Sequence, residues 1–267
     1  MNRAPLDVTR LRRELLETPA TRFFHETDVV ESTGSTNADL VARAADSTAD
    51  RLVLLAEAQE RGRGRHDRQW VGPPRAQLAM SVLVRVRGIA PELLGWLPLL
   101  TGVAVVDAVR SATAVKAVLK WPNDVLVEGR KLSGILAEIA AVGPDPAVVV
   151  GIGLNASLTE AELPVPHATS LALAGAPEPV DRTAVAAAIL REFARRFVAW
   201  EAAGWDIAEL SADYRERCST IGATVRAELP GDEVLTGVAT GVDGHGRLLI
   251  GDQAVSAGDV THLRAEY

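Results

Sequence analysis

The sequence predicts an α+β protein, with a large domain built on a mixed sheet and a small β-barrel after it. Three observations lead there. Strand-like pieces AVLKW, DVLVEG, KLSGILAEIA and AVVVGIGLNA crowd the middle of the chain, joined by turn residues at Pro122-Asn123 and Gly129-Arg130. Helical spacing is confined to a few separate segments. From Ala223 onward the chain changes to short alternating strands, TVRAEL, VLTGVATGV, RLLI, QAVS and DVTHLR, broken by Pro230-Gly231 and Asp243-Gly244-His245-Gly246. A chain of 267 residues has room for a large domain plus a small one, and the expected division is 1–220 and 221–267.

Taken in order, leucines spaced among charges predict a helix over Leu6 to Glu17, and TDVVES predicts a strand over Thr27 to Ser32. Ser35 then stands as the N-cap of a helix NADLVARAA that stops near Asp46. Strands are expected at Leu52 to Ala58 and at Gln77 to Val86, so the arginine-rich stretch between them joins two core strands. A long helix follows from about Pro91 to Arg110, with the proline suited to a first turn. After Asn155 a Pro- and Ala-rich loop leads to helices over Arg182 to Ala202 and Ile207 to Arg217.

Composition limits the function. The 28 Lys and Arg against 35 Asp and Glu leave a net charge of −7, which disfavours a general nucleic-acid or acidic-membrane surface. Any anion site must be local. A single cysteine, Cys218, makes no intrachain disulfide, and the Arg-rich start lacks the apolar core of a secretion signal, so a cytoplasmic protein is expected. The most apolar run, Leu97 to Val109, is interrupted by Asp107 and reads as a buried helix rather than a membrane span.

Four stretches carry candidate chemistry. In ERGRGRHDRQW, Gly62 and Gly64 allow positive φ and close backbone approach, so successive amides can point into one concavity while Arg63, Arg65 and Arg68 add charge. No Lys-Ser/Thr pair follows, so it is not a Walker loop, and by itself it also fits a solvated basic turn. Trp70 supplies an apolar wall or plain core filling. In LKWPNDVLVEGRKLSGIL, the Pro122-Asn123-Asp124 triplet suits a hairpin turn, while Lys131 beside Gly134 lies either at a sheet edge or aimed into a site. In VVVGIGLNA, Gly151 and Gly153 mark a bulge or a place where a flat ligand lies close to the backbone, ahead of Asn155. In TGSTN, Ser35, Thr36 and Asn37 either cap a helix or touch a ligand.

The order STN, Q-x-x-GRGR…W, KWPND…RKLSGIL, GIGLN and a terminal barrel resembles the biotin protein ligases over nearly the whole chain. That resemblance implies a catalytic domain of the class II aminoacyl-tRNA synthetase and biotin ligase type, followed by an SH3-like barrel. It implies that Ser35, Thr36, Asn37 and Gln59 line a biotin ureido pocket, with the loop from Gly62 to Arg65 closing over it. Lys131 would meet the biotin carboxylate and the α-phosphate, and Gly134, Gly151 and Gly153 would let the ligand pack on the sheet. Trp70, Arg68 and Asn155 would border the adenylate, Asn123 and Asp124 the phosphates or the incoming lysine, and Arg264 would reach the nucleotide from the barrel. Lys131, Arg65, Asn123 and Asp124 are the candidate catalytic residues.

The implied substrates are biotin and ATP, with Mg²⁺ carried on the phosphates. The implied partners are the biotin carrier domains of acyl-CoA carboxylases, with pairing of two copies once the adenylate is bound. Asp67 departs from the family pattern GRGRxGRxW, where a glycine is usual, although aspartate tolerates the left-handed region better than most residues. About 30 residues precede Thr33, too few for a winged helix-turn-helix, so neither operator DNA nor a membrane is an expected partner. The rivals are a lipoate or other acyl ligase of the same fold, a non-catalytic sensor of biotinyl-AMP or another nucleotide, and a nucleic-acid binder using the arginine loop.

Overall fold

The computed structural model describes residues 3–16, 22–66, 68–229, 233–256 and 259–263. Asp67 and Arg264, both singled out from the sequence, lie outside the described residues. Seven strands form a mixed sheet, ordered β1 (Glu26–Val30), β2 (Leu52–Ala56), β3 (Gln77–Arg85), β7 (Ala147–Asn155), β6 (Arg130–Ala141), β5 (Asp124–Val127) and β4 (Val118–Lys120). Only β1 and β2 run parallel; every other neighbouring pair is antiparallel.

One face of the sheet is covered by the main core. There α3 (Trp96–Thr113) and α4 (Arg182–Ala202) pack on each other, α1 (Val8–Leu16) packs on α4, and α5 (Ala208–Arg217) leans on α3. Helix α3 is apolar on all sides because it lies between the sheet and two helices, and Trp96, Leu97, Leu100 and Val103 through Val106 are fully buried. Among the described residues it is the one helix long and apolar enough to cross a membrane, and most of it is buried inside this fold. Pro91 opens a short 3-10 turn, Pro91–Gly95, rather than the α-helix, which begins at Trp96. Pro98 then sits within the first turn of α3, where a missing amide costs no intrahelical bond.

The opposite face is only partly covered. Helix α2 (Thr36–Arg43) lies over a small apolar cluster of Leu40, Leu52, Leu54, Leu83 and Val149, near the ends of β2, β3 and β7. Beyond that cluster the register aligns Ser81, Gly151 and Leu136 across three strands, and Ala79, Gly153 and Gly134 in the next row. Small residues in adjacent rows leave a shallow floor that the helix does not fill. Strand β2 stops at Ala56, short of the expected Ala58, and Glu57 turns inward to meet Arg182 at 2.7 Å, both side chains being almost fully buried. Arg182 also donates to the carbonyls of Ala4 and Gln77, which ties the N-terminal segment and the start of β3 to α4.

Residues 224–262 form a separate five-stranded antiparallel sheet, ordered β11 (Gln253–Val255), β10 (Leu248–Ile250), β9 (Val234–Val242), β8 (Thr224–Glu228) and β12 (Asp259–His262). It is docked rather than tethered. Trp96 Nε1 donates to Gly244 O at 2.9 Å and Trp121 Nε1 to Gly246 O at 3.0 Å, so two core tryptophans meet the β9–β10 turn. Leu119 bridges to Cys218 just before this sheet begins.

Candidate active site

A cavity of about 880 Å³ opens over the small-residue rows of the floor. Three walls enclose it: the N-terminus of α2, the arginine loop between β2 and β3, and the β4–β5 turn with the first residues of β6. Strand β12 closes one side through Val260, Thr261 and His262.

Ser35 caps α2, its hydroxyl accepting from Ala38 N, and so fixes where Thr36 and Asn37 emerge. Thr36 donates through both its amide and its hydroxyl to Gln59 Oε1, at 2.9 and 3.1 Å. Asn37 Oδ1 accepts from Ser81 Oγ at 2.6 Å, and its Nδ2 donates to Glu138 Oε2 at 2.8 Å. Thr36, Asn37 and Gln59 therefore belong to one buried or half-buried polar network, with Ser35 beside it as the helix cap, and both helix capping and the cavity wall are real roles for the motif. Its further members, Ser81 and Glu138, escaped the sequence reading. A period of two counted from Gly134 through Leu136 places Glu138 on the site face, and Ser81 is the one hydroxyl in an otherwise apolar β3.

The arginine loop differs from its expected shape. Neither Gly62 nor Gly64 has positive φ; among the described residues of the loop, the left-handed one is His66, at φ 53°. Crowding requires glycine at 62 and makes a side chain at 64 tight. A Cβ on Gly62 would stand 2.3 Å from Trp70 O, and one on Gly64 would stand 3.1 Å from Arg68 O. Gly64 N donates to Arg68 O, Arg68 N to Arg65 O and Trp70 N to Gly62 O, and these three bonds draw the loop into a narrow hairpin. Gly62 lines a second, outer cleft of about 500 Å³, while Gly64 lines both that cleft and the main cavity. Charge from the loop reaches the main cavity through Arg63, Arg65 and Arg68 side chains.

The strand glycines are likewise occupied by the protein. A Cβ on Gly153 would lie 2.4 Å from the Trp70 indole, one on Gly151 would lie 2.1 Å from Asn37 Oδ1, and one on Gly134 would lie 3.3 Å from both Trp70 and Lys131. Gly134, Gly151 and Gly153 also line the cavity, so that space borders the site. What it admits is a layer of side chains on which a ligand would rest, and Trp70 is a wall of the cavity rather than core filling. Trp70 Nε1 is buried without a hydrogen-bond acceptor among the described residues.

Lys131 is not an edge residue. β6 runs inside the sheet, and at Lys131 the chain pairs with Leu126 on one side and with Ala168 on the other, its amide donating to His167 O at 2.7 Å. Its Nζ lies 2.6 Å from Asp124 Oδ1. Asn123, expected beside the phosphates or the incoming lysine, already uses its amide: Nδ2 donates to Ile135 O at 2.8 Å and Oδ1 accepts from Arg65 at 3.1 Å. It orients Arg65. Asn155 similarly donates to Thr169 O and accepts from Gln77 Nε2 at 2.9 Å, so it fixes the cavity rim. On β12, His262 Nε2 lies 3.0 Å from Thr220 Oγ1, and burial together with Lys120 holds the imidazole below its ordinary value. Among the described residues no three or more His, Cys, Asp or Glu side chains gather into a metal-binding cluster.

A mixed sheet carrying an arginine hairpin, a buried polar quartet and a lysine beside a carboxylate, with a small β-domain against it, defines an enzyme class as well as a fold. Residues 29–155 match the Biotin/lipoate A/B protein ligase family, and residues 220–263 match the Biotin protein ligase C terminal domain. The chain is 47% identical to a biotin--[acetyl-CoA-carboxylase] ligase of Mycobacterium tuberculosis, over 98% of this chain and 97% of that protein. It is 31% identical to the bifunctional ligase/repressor BirA of Escherichia coli over 74% of this chain and 61% of that one. Among solved structures, a biotin protein ligase from Aquifex aeolicus in complex with biotin and ATP superposes with a TM-score of 0.73, at 25% identity, covering 91% of this chain and all of that one. The chain belongs to the biotin protein ligase family.

Proposed function

We propose that the protein activates biotin with ATP to biotinyl-5′-AMP, releasing pyrophosphate, and then transfers biotin to a lysine of the biotin carrier domains of acyl-CoA carboxylases. The observation that carries this reading is the placement of a neutral polar quartet and a cluster of cations at one cavity. Biotin's ureido ring offers N–H donors and a carbonyl acceptor to Ser35, Thr36, Asn37 and Gln59. A lipoyl dithiolane offers neither, so it would gain no hydrogen bond from this polar wall. The rival acyl substrate is disfavoured on that ground.

Activation needs no nucleophilic side chain, since biotin's carboxylate is ionised at neutral pH. The barrier is the approach of two anions and the charge that grows on the α-phosphate, which positioned cations lower. In this reading Lys131 leaves Asp124 for the reacting oxygens, and Arg65, steered by Asn123, meets the phosphate tail together with Arg63 and Arg68. Mg²⁺ enters on ATP. The buried Trp70 indole shields the mixed anhydride from water and offers its N–H to the adenylate. Once Lys131 has turned to the substrate, Asp124 is released to orient the incoming amine and accept its proton. A non-catalytic sensor would have no use for a lysine held at a central strand in this way. We place this activity in the cytoplasm, with Arg264 as a nucleotide contact from the small domain.

The test is incubation of the protein with labelled biotin, ATP, Mg²⁺ and an isolated carrier domain. Label on the carrier lysine supports the proposal; carrier that stays unlabelled while labelled lipoate is transferred rejects it.

A further inference from the structure

The carboxylate of Glu138 meets two parts of the site at once. Its Oε2 accepts from Asn37 Nδ2 at 2.8 Å, and its Oε1 pairs with Arg63 of the arginine hairpin. No role in the adenylation chemistry above falls to it, and a negative charge beside a site for two anions is a repulsive choice unless it does something else.

The surroundings limit what that is. Asn37 Nδ2 also donates to Leu136 O at 3.2 Å, and Oδ1 is fixed by Ser81, so Glu138 completes the amide's orientation over Gly151. Arg63 is different. Its side chain is 46% exposed, against 22% for Glu138, and the hairpin that carries it separates the main cavity from the outer cleft that Glu138 also lines. An ion pair that open to water is weak, and a phosphate or carboxylate oxygen can displace it. Arg63 therefore has two anionic stations within reach, one on the protein and one on a ligand, whereas Asn37 has one.

We propose that Glu138 is a positioning residue: in the ligand-free protein it holds the arginine hairpin through Arg63 and sets the amide of Asn37, and it releases Arg63 to the ligand's anionic oxygens when the site fills. The second half rests on the adenylation reading, since it takes the competing anion to be that of biotinyl-AMP or ATP; the first half does not.

Glu138→Gln and Glu138→Ala separate the two tasks, because glutamine keeps an acceptor for Asn37 and alanine keeps nothing. Amide exchange across residues 61–70 in the ligand-free protein comes first. Glu138→Gln should speed it several-fold, and Arg63→Gln should speed it equally, with no further gain in the double variant. With a non-hydrolysable biotinyl-AMP analogue bound, Glu138→Gln and the parent should exchange alike. Steady-state kinetics come second: the KM for biotin should change less than about twofold in Glu138→Gln and rise about tenfold in Glu138→Ala, the scale of one lost hydrogen bond to a charged group. Unchanged hairpin exchange in ligand-free Glu138→Gln overturns the proposal whatever the reaction proves to be. A difference of the same size in the free and bound states shows that Arg63 never leaves Glu138, and overturns the exchange of partners. A merely structural Glu138 would lower the melting temperature and kcat together without a change confined to the free state.

Discussion

Gly153→Ala puts the layered floor of the site to a direct test. The added methyl would stand 2.4 Å from Trp70 Cε2 and 2.7 Å from Cδ2 and Nε1. Carbon atoms rest about 3.5 to 4.0 Å apart, so the indole must retreat by about 1 Å. It cannot do so alone. Trp70 N donates to Gly62 O at 2.9 Å, and Gly62 has no room beneath Trp70 O, so the base of the arginine hairpin must shift with the ring. Overpacking of this kind costs about 1 to 3 kcal/mol. If that cost falls on the bound state, ATP binding to the biotin complex weakens by roughly 5- to 150-fold, at about 1.4 kcal/mol per tenfold. Calorimetric titration with biotin and then ATP, paired with urea melts, divides the cost between binding and stability. In a Trp70→Ala background the methyl meets no ring, so the penalty should vanish and the double-mutant cycle should return it as a coupling energy. Wild-type binding and stability to within about 0.5 kcal/mol, with no coupling, would refute the packing argument.

Three further outcomes follow from named contacts. Lys131→Ala should slow adenylation by on the order of 10² to 10³, as for the loss of one electrostatic stabiliser, in a variant that stays folded although Asp124 loses its cation; single-turnover formation of biotinyl-AMP reads this. Glu57→Ala leaves Arg182 charged and buried, so urea denaturation should show a loss of about 3 to 5 kcal/mol, with Glu57→Gln milder. The His262 imidazole is held below its ordinary value by burial and Lys120, so the unfolded chain takes up that proton first. Its contribution to stability is complete above about pH 6.5 and is lost as pH falls through that value toward the lower folded one, so His262→Gln should flatten the pH dependence of the melting temperature there.

The architecture was legible because period and punctuation are local signals. The strands between 118 and 155, the apolar helix behind them and the switch to short strands after Ala223 each announce themselves within a dozen residues. Resemblance then brought Ser35 through Asn37, Gln59, Arg65, Lys131 and Gly153 to one cavity. What the sequence did not show was the partner of each group. Glycines at 62 and 64 read as conformational freedom, yet Trp70 O leaves no room for a side chain at 62 and Arg68 O little at 64, and only the folded hairpin reveals that. Gly151 and Gly153 read as room at the cavity floor, and the side chains that come nearest, Asn37 and Trp70, lie over 80 positions away in the chain. Lys131 hung between edge and site until the strand order placed β6 inside the sheet. Glu138 went unnoticed because a lone acid in a strand has no motif; its meaning lies in Arg63 and Asn37, which approach from two other elements.

The central claim is that this chain alone builds a complete site for activating biotin, and ATP–pyrophosphate exchange without a carrier measures it most directly. The account predicts exchange that requires biotin together with Mg²⁺ and ATP, that falls sharply in Lys131→Ala, and that lipoate does not support. Exchange driven by lipoate and indifferent to biotin, or none in a protein that still binds both biotin and ATP, would contradict it.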